Sequence, residues 1–227
     1  MPRSVTVLLP AHDEAEAIAS VIAGCLEHTP DLHEVVVVDD GSRDETAKIA
    51  VQAGARVLSL AENRGKGAAL AYAQPYLRGD VVVLLDADGQ DDPSEIPLLV
   101  DALTEEVELV IGSRFLGTFE PGAISGLNRV GTQAINGLFN LAFRAKVTDT
   151  QAGFRALRRD TFQGLRIHAR HYDIETDMLC QIVARGGQVV EVPVVRSPRE
   201  AGTTDFSRVR DGLRIVKRIA LTRLGVR

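Results

Sequence analysis

Two aspartates, Asp86 and Asp88, directly follow a run of five apolar residues at 81–85. Such a run, bounded by glycines on both sides, predicts a buried strand whose end carries both carboxylates. Paired carboxylates at the mouth of a sheet offer hard oxygen ligands, which suit Mg²⁺ or Mn²⁺ bridging to phosphate oxygens. The simpler alternative is a turn in which aspartates cap the helix that begins near Pro93.

Other polar residues follow other predicted strands. The sequence predicts five strands that alternate with helices, at 5–11, 34–40, 57–60, 81–85 and 107–111. This alternation predicts an α/β fold with a mostly parallel, Rossmann-like sheet and helices on both faces. Glu14, Asp39, Asp40 and Arg114 lie at or just beyond strand ends. Because parallel strands end at one edge of a sheet, we expect these side chains to gather near Asp86.

The second half of the chain changes character. Residues 117–126 predict a loop, which is either a mobile lid or an ordinary surface loop. A helix is predicted at 128–144, with Val130, Ile135, Leu138, Phe139 and Leu141 at helical spacing. A second helix is expected at 172–185 and a strand at 188–195. We expect one domain over residues 1–205 and a separate basic, amphipathic helix over residues 206–227.

The charge is unevenly distributed along the 227 residues. The net charge is −5, but residues 206–227 carry seven basic residues against one acid, a net charge of +6 that leaves −11 on the rest. Phe206, Val209, Leu213, Val216 and Ile219 recur at helical spacing in this tail. It is predicted either to lie on an anionic membrane surface or to dock on the domain with a solvated basic face.

Composition limits the function classes. Trp is absent and aromatic residues make up 4% of the chain, which argues against a nucleic-acid partner. Cys25 and Cys180 are the two cysteines, and neither a signal peptide nor a membrane-spanning run was identified. A protein of the reducing cytoplasm is therefore expected, and the membrane-binding interpretation of the basic tail places it peripherally at the cytoplasmic face of the membrane.

Six motifs occur together in a defined order. They are Leu9-Pro10-Ala11-His12-Asp13-Glu14, Val38-Asp39-Asp40-Gly41-Ser42, Asn63-Arg64-Gly65-Lys66-Gly67, Asp86-Ala87-Asp88-Gly89-Gln90, Gly112-Ser113-Arg114 and Asp149-Thr150-Gln151-Ala152-Gly153-Phe154. This set resembles family 2 glycosyltransferases, and among them the dolichyl-phosphate and polyprenyl-phosphate mannose or glucose synthases. The resemblance covers roughly residues 4–205. It implies a GT-A fold and inverting, metal-dependent transfer of a hexose from a nucleotide sugar to a polyprenyl phosphate.

The resemblance also implies roles for residues. It places Pro10, Glu14 and Asp40 against the nucleoside. Asp86, Asp88 and Gln90 would hold Mg²⁺ or Mn²⁺ and, through the metal, the donor diphosphate. Arg114 and Arg129 would bind the acceptor phosphate. Asp88, Arg114 and Arg129 are the predicted catalytic residues. Lys66 is predicted to add a positive charge near phosphate, or else to be a solvated residue at a helix start.

Donor and acceptor remain open at this point. His12-Asp13 departs from the family's more usual Tyr-Asn, so GDP-mannose and UDP-glucose both fit, with a slight preference for GDP-mannose. A phosphate acceptor is already ionised near neutral pH and needs no general base. A hydroxyl of a glycan or small molecule would need one, for which Glu175 and Asp177 are the candidates.

Two further alternatives belong to other functional classes. An apolar run followed by Asp-x-Asp-Gly also resembles haloacid-dehalogenase-type phosphatases, in which the first Asp, here Asp86, would be the nucleophile. That motif usually lies near the N-terminus and continues differently from Gln90. The other alternative is an inactive module that binds a nucleotide sugar without turnover.

Overall fold

A computed structural model describes residues 3–169, 173–199 and 208–225. The strands are β1 (Val5–Ala11), β2 (Leu32–Asp39), β3 (Arg56–Ser59), β4 (Val81–Leu84), β5 (Val107–Phe119), β6 (Arg155–Arg158) and β7 (Gln188–Arg196). The helices are α1 (Ile18–His28), α2 (Thr46–Gln52), α3 (Lys66–Ala73), α4 (Ile96–Ala102), α5 (Gly126–Phe143), α6 (Arg159–Gly164), α7 (Ile174–Ala184) and α8 (Arg208–Arg223). Short 3₁₀ helices span Gln74–Tyr76 and Pro93–Glu95.

The seven strands form one sheet in the order β3-β2-β1-β4-β6-β5-β7. Strand β6 pairs antiparallel with β4 and β5, and the other pairings are parallel. The predicted α/β fold with a mostly parallel sheet is therefore confirmed. Because β6 alone is reversed, it begins at the edge where the other strands end, and the residues before it join that edge.

The apolar strands support a core on each face of the sheet. Leu8 of β1 packs into a cluster with residues of α3, α5, α6, α7 and α8. Its neighbours Val7 and Leu9 pack into a second cluster with residues of α1, α2 and α4. This alternation follows from the period of two along a strand. The two clusters hold the sheet from both faces, and they thus position the side chains that follow the strands.

Strand β5 is longer than predicted. It continues to Phe119, so residues 117–119 belong to a strand, and the predicted loop at 117–126 was wrong for that part. A Cβ at Gly117 would lie 2.0 Å from the carbonyl oxygen of Val194, which explains why a glycine there lets β5 and β7 stay paired. Helix α5 begins at Gly126, where Ser125 Oγ accepts the N–H of Asn128 at 3.3 Å.

Helix α8 packs onto the body of the protein. Ile215 and Ile219 are buried in the same cluster as Phe139 of α5, and Arg218 Nε lies 3.6 Å from Asp177 Oδ1 of α7. Leu213 and Val216 of the predicted stripe are exposed. Phe206, Arg227 and the proposed boundary at 205/206 lie outside the described residues, and the division into two units stays a proposal. Within the described ranges, no helix combines the length and apolar character that crossing a bilayer requires.

Candidate active site

A cavity of about 1410 Å³ opens at the edge where the parallel strands end. Eight predicted site residues line it: Pro10, Glu14, Asp40, Lys66, Asp86, Asp88, Gln90 and Arg114. Arg129, the ninth, is exposed on α5 outside the lining. The structure therefore confirms that the polar residues at the strand ends lie close together.

Lys66 joins two carboxylates at the base of the cavity. Its Nζ lies 2.5 Å from Asp86 Oδ1 and 2.6 Å from Glu175 Oε1. Burial alone would lower the pKa of Lys66, but these two carboxylates outweigh burial and raise the pKa. Burial would likewise raise the pKa of Asp86, yet Lys66 and Arg196 hold the pKa down at about 2. Lys66 is therefore a charged member of the site and not a solvated residue at a helix start.

Asp88 faces two arginines that the sequence analysis did not single out. Its Oδ2 lies 3.5 Å from Arg199 Nη1 and 3.7 Å from Arg196 Nη2. Burial, followed by the nearby charge of Asp86, raises the pKa of Asp88 in spite of Arg196. Arg199 also pairs with Glu14, whose pKa burial raises although Arg199 opposes the shift.

Gln90, the predicted neutral metal ligand, has other partners in this structure. Its Oε1 accepts a hydrogen bond from Arg196 Nη2 at 2.9 Å, and its Nε2 donates to the carbonyl of Ser197 at 3.0 Å. Arg196 Nη1 also lies 2.6 Å from Asp91 Oδ1. The side chain of Gln90 thus fixes the segment after β7 over the carboxylates.

The donor set suits a divalent cation, although competing cations surround it. Asp86 and Asp88 supply hard carboxylate oxygens. Burial, and after it the charge of Asp86, raises the pKa of Asp88, and a bound cation would oppose both effects. Within the described residues, no group of three or more His, Cys, Asp or Glu is arranged to hold a metal. Mg²⁺ or Mn²⁺ would therefore be held by Asp86 and Asp88 together with ligands from a bound diphosphate.

The residues predicted to bind the nucleoside lie on or just after β1 and β2. Asp40, at the end of β2, is 4% exposed, and its two oxygens accept backbone N–H groups of Arg64 at 2.9 Å and Gly65 at 2.7 Å. Gly65 has φ of 91°, a conformation that favours glycine. Asp40 therefore shapes the turn that starts α3, and it is also among the residues that line the cavity, as is Pro10.

Arg114 is anchored by Asp149, which precedes the reversed strand β6. The Asp149 carboxylate accepts hydrogen bonds from Arg114 Nε at 2.7 Å and Nη2 at 2.8 Å. The guanidinium group of Arg114 lies 5.9 Å from the centre of the Phe119 ring, and that of Arg129 lies 5.5 Å from the same centre. The two predicted phosphate-binding arginines thus approach one aromatic ring, that of Phe119, which lines the cavity.

The two candidate general bases occupy different environments. Glu175 lines the cavity beside Lys66. Asp177 is 1% exposed, and its Oδ2 accepts the backbone N–H groups of His168 at 2.9 Å and Ala169 at 3.1 Å. Asp177 therefore supports a loop, and only Glu175 of the pair is placed where it could meet a substrate.

Arg196 and Arg199 are charged cavity residues that the sequence analysis missed. Both line the cavity, and both follow or end β7. The rule that located Asp86 applies to them as well, since the strand predicted at 188–195 ends at the same edge. What the sequence did not show is that β7 is a neighbour of β5 in the sheet and points the same way.

Comparison with known proteins identifies the family to which the chain belongs. Residues 6–166 match the model of the family described as glycosyl transferase family 2. A glycosyltransferase of Haloferax volcanii, AglJ, is 35% identical over 213 residues, which are 93% of this chain and 69% of that protein. An undecaprenyl-phosphate 4-deoxy-4-formamido-L-arabinose transferase of Edwardsiella ictaluri is 30% identical, over 89% of this chain and 62% of its own length. The chain thus spans about two thirds of each relative.

Solved structures share the whole fold. The crystal structure of glucosyl-3-phosphoglycerate synthase from Mycobacterium tuberculosis in complex with Mn²⁺ and UDP-glucose superposes with a TM-score of 0.77 at 26% identity. It covers 99% of this chain, which in turn covers 80% of that one. The GT-A fold expected from the sequence motifs is therefore confirmed.

Proposed function

The chain belongs to glycosyl transferase family 2, and on that premise we propose that it transfers a hexose from a nucleotide sugar to a polyprenyl phosphate with inversion and with a divalent metal bound. The observation that carries the proposal is the layout of the cavity. The carboxylates of Asp86 and Asp88 line it together with Arg114 and with the exposed apolar residue Leu127 of α5. A charged donor and a phosphate acceptor with a long apolar chain would each find matching groups among these residues.

The donor diphosphate fits the charged base of the cavity. A bound Mg²⁺ or Mn²⁺ would neutralise the charge that develops on the departing nucleoside diphosphate. Lys66, Arg196 and Arg199 line the same region and supply further positive charge to phosphate oxygens. The Mn²⁺ and UDP-glucose held by the mycobacterial synthase support a UDP sugar as the donor, with GDP-mannose as the alternative.

The acceptor attacks without a general base in this proposal. An oxygen of the polyprenyl phosphate forms the new bond to the anomeric carbon as the bond to the diphosphate breaks, and the ionised phosphate has no proton to lose. Arg114, fixed by Asp149, would orient the acceptor phosphate, and Arg129 would meet it at the rim. The relative named as an undecaprenyl-phosphate transferase supports this acceptor class.

The site of action follows from the acceptor. A polyprenyl phosphate is embedded in a membrane, so the protein is proposed to work peripherally at the cytoplasmic face. Both cysteines, Cys25 and Cys180, are buried and free, which is consistent with a reducing compartment.

A second candidate function is transfer to a hydroxyl group. It is favoured by one observation, the position of Glu175 in the cavity, where a carboxylate could accept the proton of a sugar or small-molecule hydroxyl. The structurally similar synthase has been crystallised with phosphoglyceric acid, a small-molecule ligand. The phosphatase alternative loses its basis, because the family match and the fold both belong to glycosyltransferases.

The proposal is tested first by donor binding. UDP, GDP, UDP-glucose and GDP-mannose are compared in thermal unfolding with and without Mn²⁺, since a ligand at about 100 times its Kd stabilises by about 2.7 kcal/mol. We expect a Mn²⁺-dependent shift with one base, lost in Asp88→Ala and kept in Asp101→Ala, an exposed aspartate of α4. Absence of any shift with all four ligands would contradict the proposed donor site.

Turnover is tested with the donor so identified. Transfer of labelled sugar is measured to a short-chain polyprenyl phosphate and to its dephosphorylated alcohol. The proposed function predicts a product only with the phosphate. Transfer to the alcohol alone would favour the second candidate, and donor binding without any transfer would favour the inactive binding module.

A further inference from the structure

Helix α5 has an apolar face that stays exposed in the part of the chain that the structure describes. Four large apolar side chains of α5 are exposed: Leu127 by 65%, Val130 by 63%, Leu138 by 37% and Leu141 by 80%. Gly131, Ala134 and Gly137 lie between them and are also exposed. The spacing of three and four residues places all seven on one stripe of the helix, which runs for about 21 Å at 1.5 Å per residue.

The opposite side of the same helix is the one that holds it in place. Phe139 is fully buried, and Asn136 Oδ1 accepts the N–H of Thr150 at 3.0 Å, next to the loop that carries Asp149. The outward residues are therefore not needed to pack the helix. The exposed leucines and valines lower the solubility of the protein, and they bury little surface within the described part of the chain. A contiguous exposed apolar stripe of this kind marks a contact surface.

A neighbouring helix extends this surface. Arg223 of α8 donates from Nε to the carbonyl of Ala142 of α5 at 2.9 Å, so the two helices lie side by side. Leu213 of α8 is 66% and Leu224 76% exposed, and Lys217 is exposed between them. Both helices contribute residues to the lining of the cavity, including Gly131 of α5 and Gly212 of α8.

The charge of the described residues near the stripe identifies its partner. Residues 121–147 contain Arg129, Arg144 and Lys146 and no acid, and residues 212–225 contain four basic residues and no acid. A second copy of this face would bring two strongly positive surfaces together. An anionic lipid surface instead offers headgroups to the basic residues and an acyl layer to the leucines.

We infer that the exposed face of α5, with the adjoining face of α8, is the surface by which this protein docks on an anionic lipid bilayer, with Leu127, Val130, Leu138 and Leu141 inserted at the headgroup boundary. The purpose of this surface rests on the proposed function, because docking would bring the enzyme to a lipid-borne acceptor. Docking by this face places the mouth of the cavity against the membrane, so that a lipid-borne phosphate enters the site while its chain stays in the bilayer.

Vesicles without polyprenyl phosphate test the surface separately from the reaction. The purified chain is sedimented with vesicles of about three parts phosphatidylcholine to one part phosphatidylglycerol, and with vesicles of phosphatidylcholine alone. We expect binding to the anionic vesicles that weakens when salt is raised from about 0.1 M to about 0.5 M. The double variant Val130→Asn/Leu141→Asn should bind about tenfold more weakly. Its matched control Val51→Asn/Leu98→Asn alters exposed residues of α2 and α4 and should bind like the unchanged protein.

A fluorescent reporter locates the inserted face directly. The chain has no tryptophan, so Leu141→Trp and Val51→Trp each introduce a single one. We expect the emission of Leu141→Trp to shift to shorter wavelength on anionic vesicles and that of Val51→Trp to stay unchanged. Shifts of equal size in both variants, or no binding at all, would overturn the inference.

Two further results separate the remaining explanations. If light scattering shows a dimer that Val130→Asn/Leu141→Asn converts to a monomer, the stripe is an interface between copies and the inference is wrong. If the protein glycosylates a soluble short-chain polyprenyl phosphate but ignores vesicles, the docking surface fails and the function stands. If it binds vesicles but transfers sugar to no phosphate acceptor, the function fails and the surface stands.

Discussion

Asp149 and Arg114 are joined by three hydrogen bonds, from the backbone N–H of Arg114 at 3.1 Å, from Nε at 2.7 Å and from Nη2 at 2.8 Å. Asp149 is fully buried and Arg114 is 15% exposed. One carboxylate thus fixes both the main chain of β5 and the direction of the arginine. The loop before β6 is therefore part of the proposed acceptor end of the site.

We predict that Asp149→Asn lowers the free energy of unfolding by about 3–5 kcal/mol, because it leaves the guanidinium group of Arg114 as a poorly compensated buried charge. Urea denaturation measures the loss. Asp160→Asn is the control, since Asp160 is 91% exposed and lies 3.8 Å from Arg159; its effect should stay below about 0.5 kcal/mol. Equal effects in the two variants would show that the buried pair has no special role.

Glu175→Gln distinguishes the two proposed acceptor classes. With a phosphate acceptor no base is needed, so we expect kcat to fall by less than about tenfold, through the lost contact with Lys66. With a hydroxyl acceptor kcat should fall by about 10²–10⁴, while donor affinity is kept. The measurement is kcat and donor Kd for this variant and for Glu62→Gln, an exposed residue outside the cavity lining that should change neither. A large loss with the phosphate acceptor would assign Glu175 a role that the proposed reaction lacks.

Gly153→Ala tests the close approach of the backbone to the charged base of the cavity. A Cβ at residue 153 would lie 2.8 Å from Asp86 Oδ2 and 3.0 Å from Lys66 Nζ, so both groups must move. We expect nucleotide affinity in Mn²⁺, measured by calorimetry, to fall at least tenfold with a loss of stability of about 1–3 kcal/mol. Gly164→Ala, where a Cβ would meet no atom within 4 Å, should leave affinity unchanged. Unchanged affinity in Gly153→Ala would remove Asp86 from the donor site.

Glu95→Gln should alter the pH dependence of stability. Burial, followed by the charges of Asp92 and Asp91, raises the pKa of Glu95 from 4.5 to about 7, although the N–H of Val195 opposes the shift. The folded state therefore holds this proton more tightly, and the stability it confers is present below pH 4.5 and lost as the pH rises through about 7.

The expected result is a difference between variants. Between pH 4.5 and about 7 the unchanged protein should lose stability relative to Glu95→Gln, as measured by urea denaturation at several pH values. Glu105→Gln, an exposed glutamate after α4, should run parallel to the unchanged protein. A constant difference between the unchanged protein and Glu95→Gln across this range would rule out the raised pKa.

The sequence was sufficient for the parallel strands and for most of the residues predicted to bind the donor. Apolar runs such as 81–85 are buried on both faces and have few alternatives, so their ends located Asp86 and Asp88. The position of β6 between β4 and β5 could not be predicted, because pairing between distant strands is decided by tertiary packing. For the same reason Arg196 and Arg199 were missed, and the partners of Gln90 were not foreseen.

The exposed face of α5 was also beyond the sequence. The pattern predicted the helix, and Ile135 and Phe139 do face the core. Val130, Leu138 and Leu141 fit the same helical spacing, yet they point outward. A helix with apolar residues on two sides leaves open which side packs inward, and only the contacts of Asn136 and Phe139 decide it.

The placement of β6 has a consequence for how such a protein can diversify. In the proposed function, strands β1 to β4 carry most of the donor residues, and Arg196 and Arg199 join them from the later half, in which β6 is inserted beside β4 of the earlier half. Helix α5 of the later half can therefore accumulate changes that suit a new acceptor while the residues predicted to bind the nucleotide stay constant. Because the halves share one interlocked sheet, neither should fold as an independent fragment, and recombination between relatives would have to exchange surface loops and helices, not whole halves.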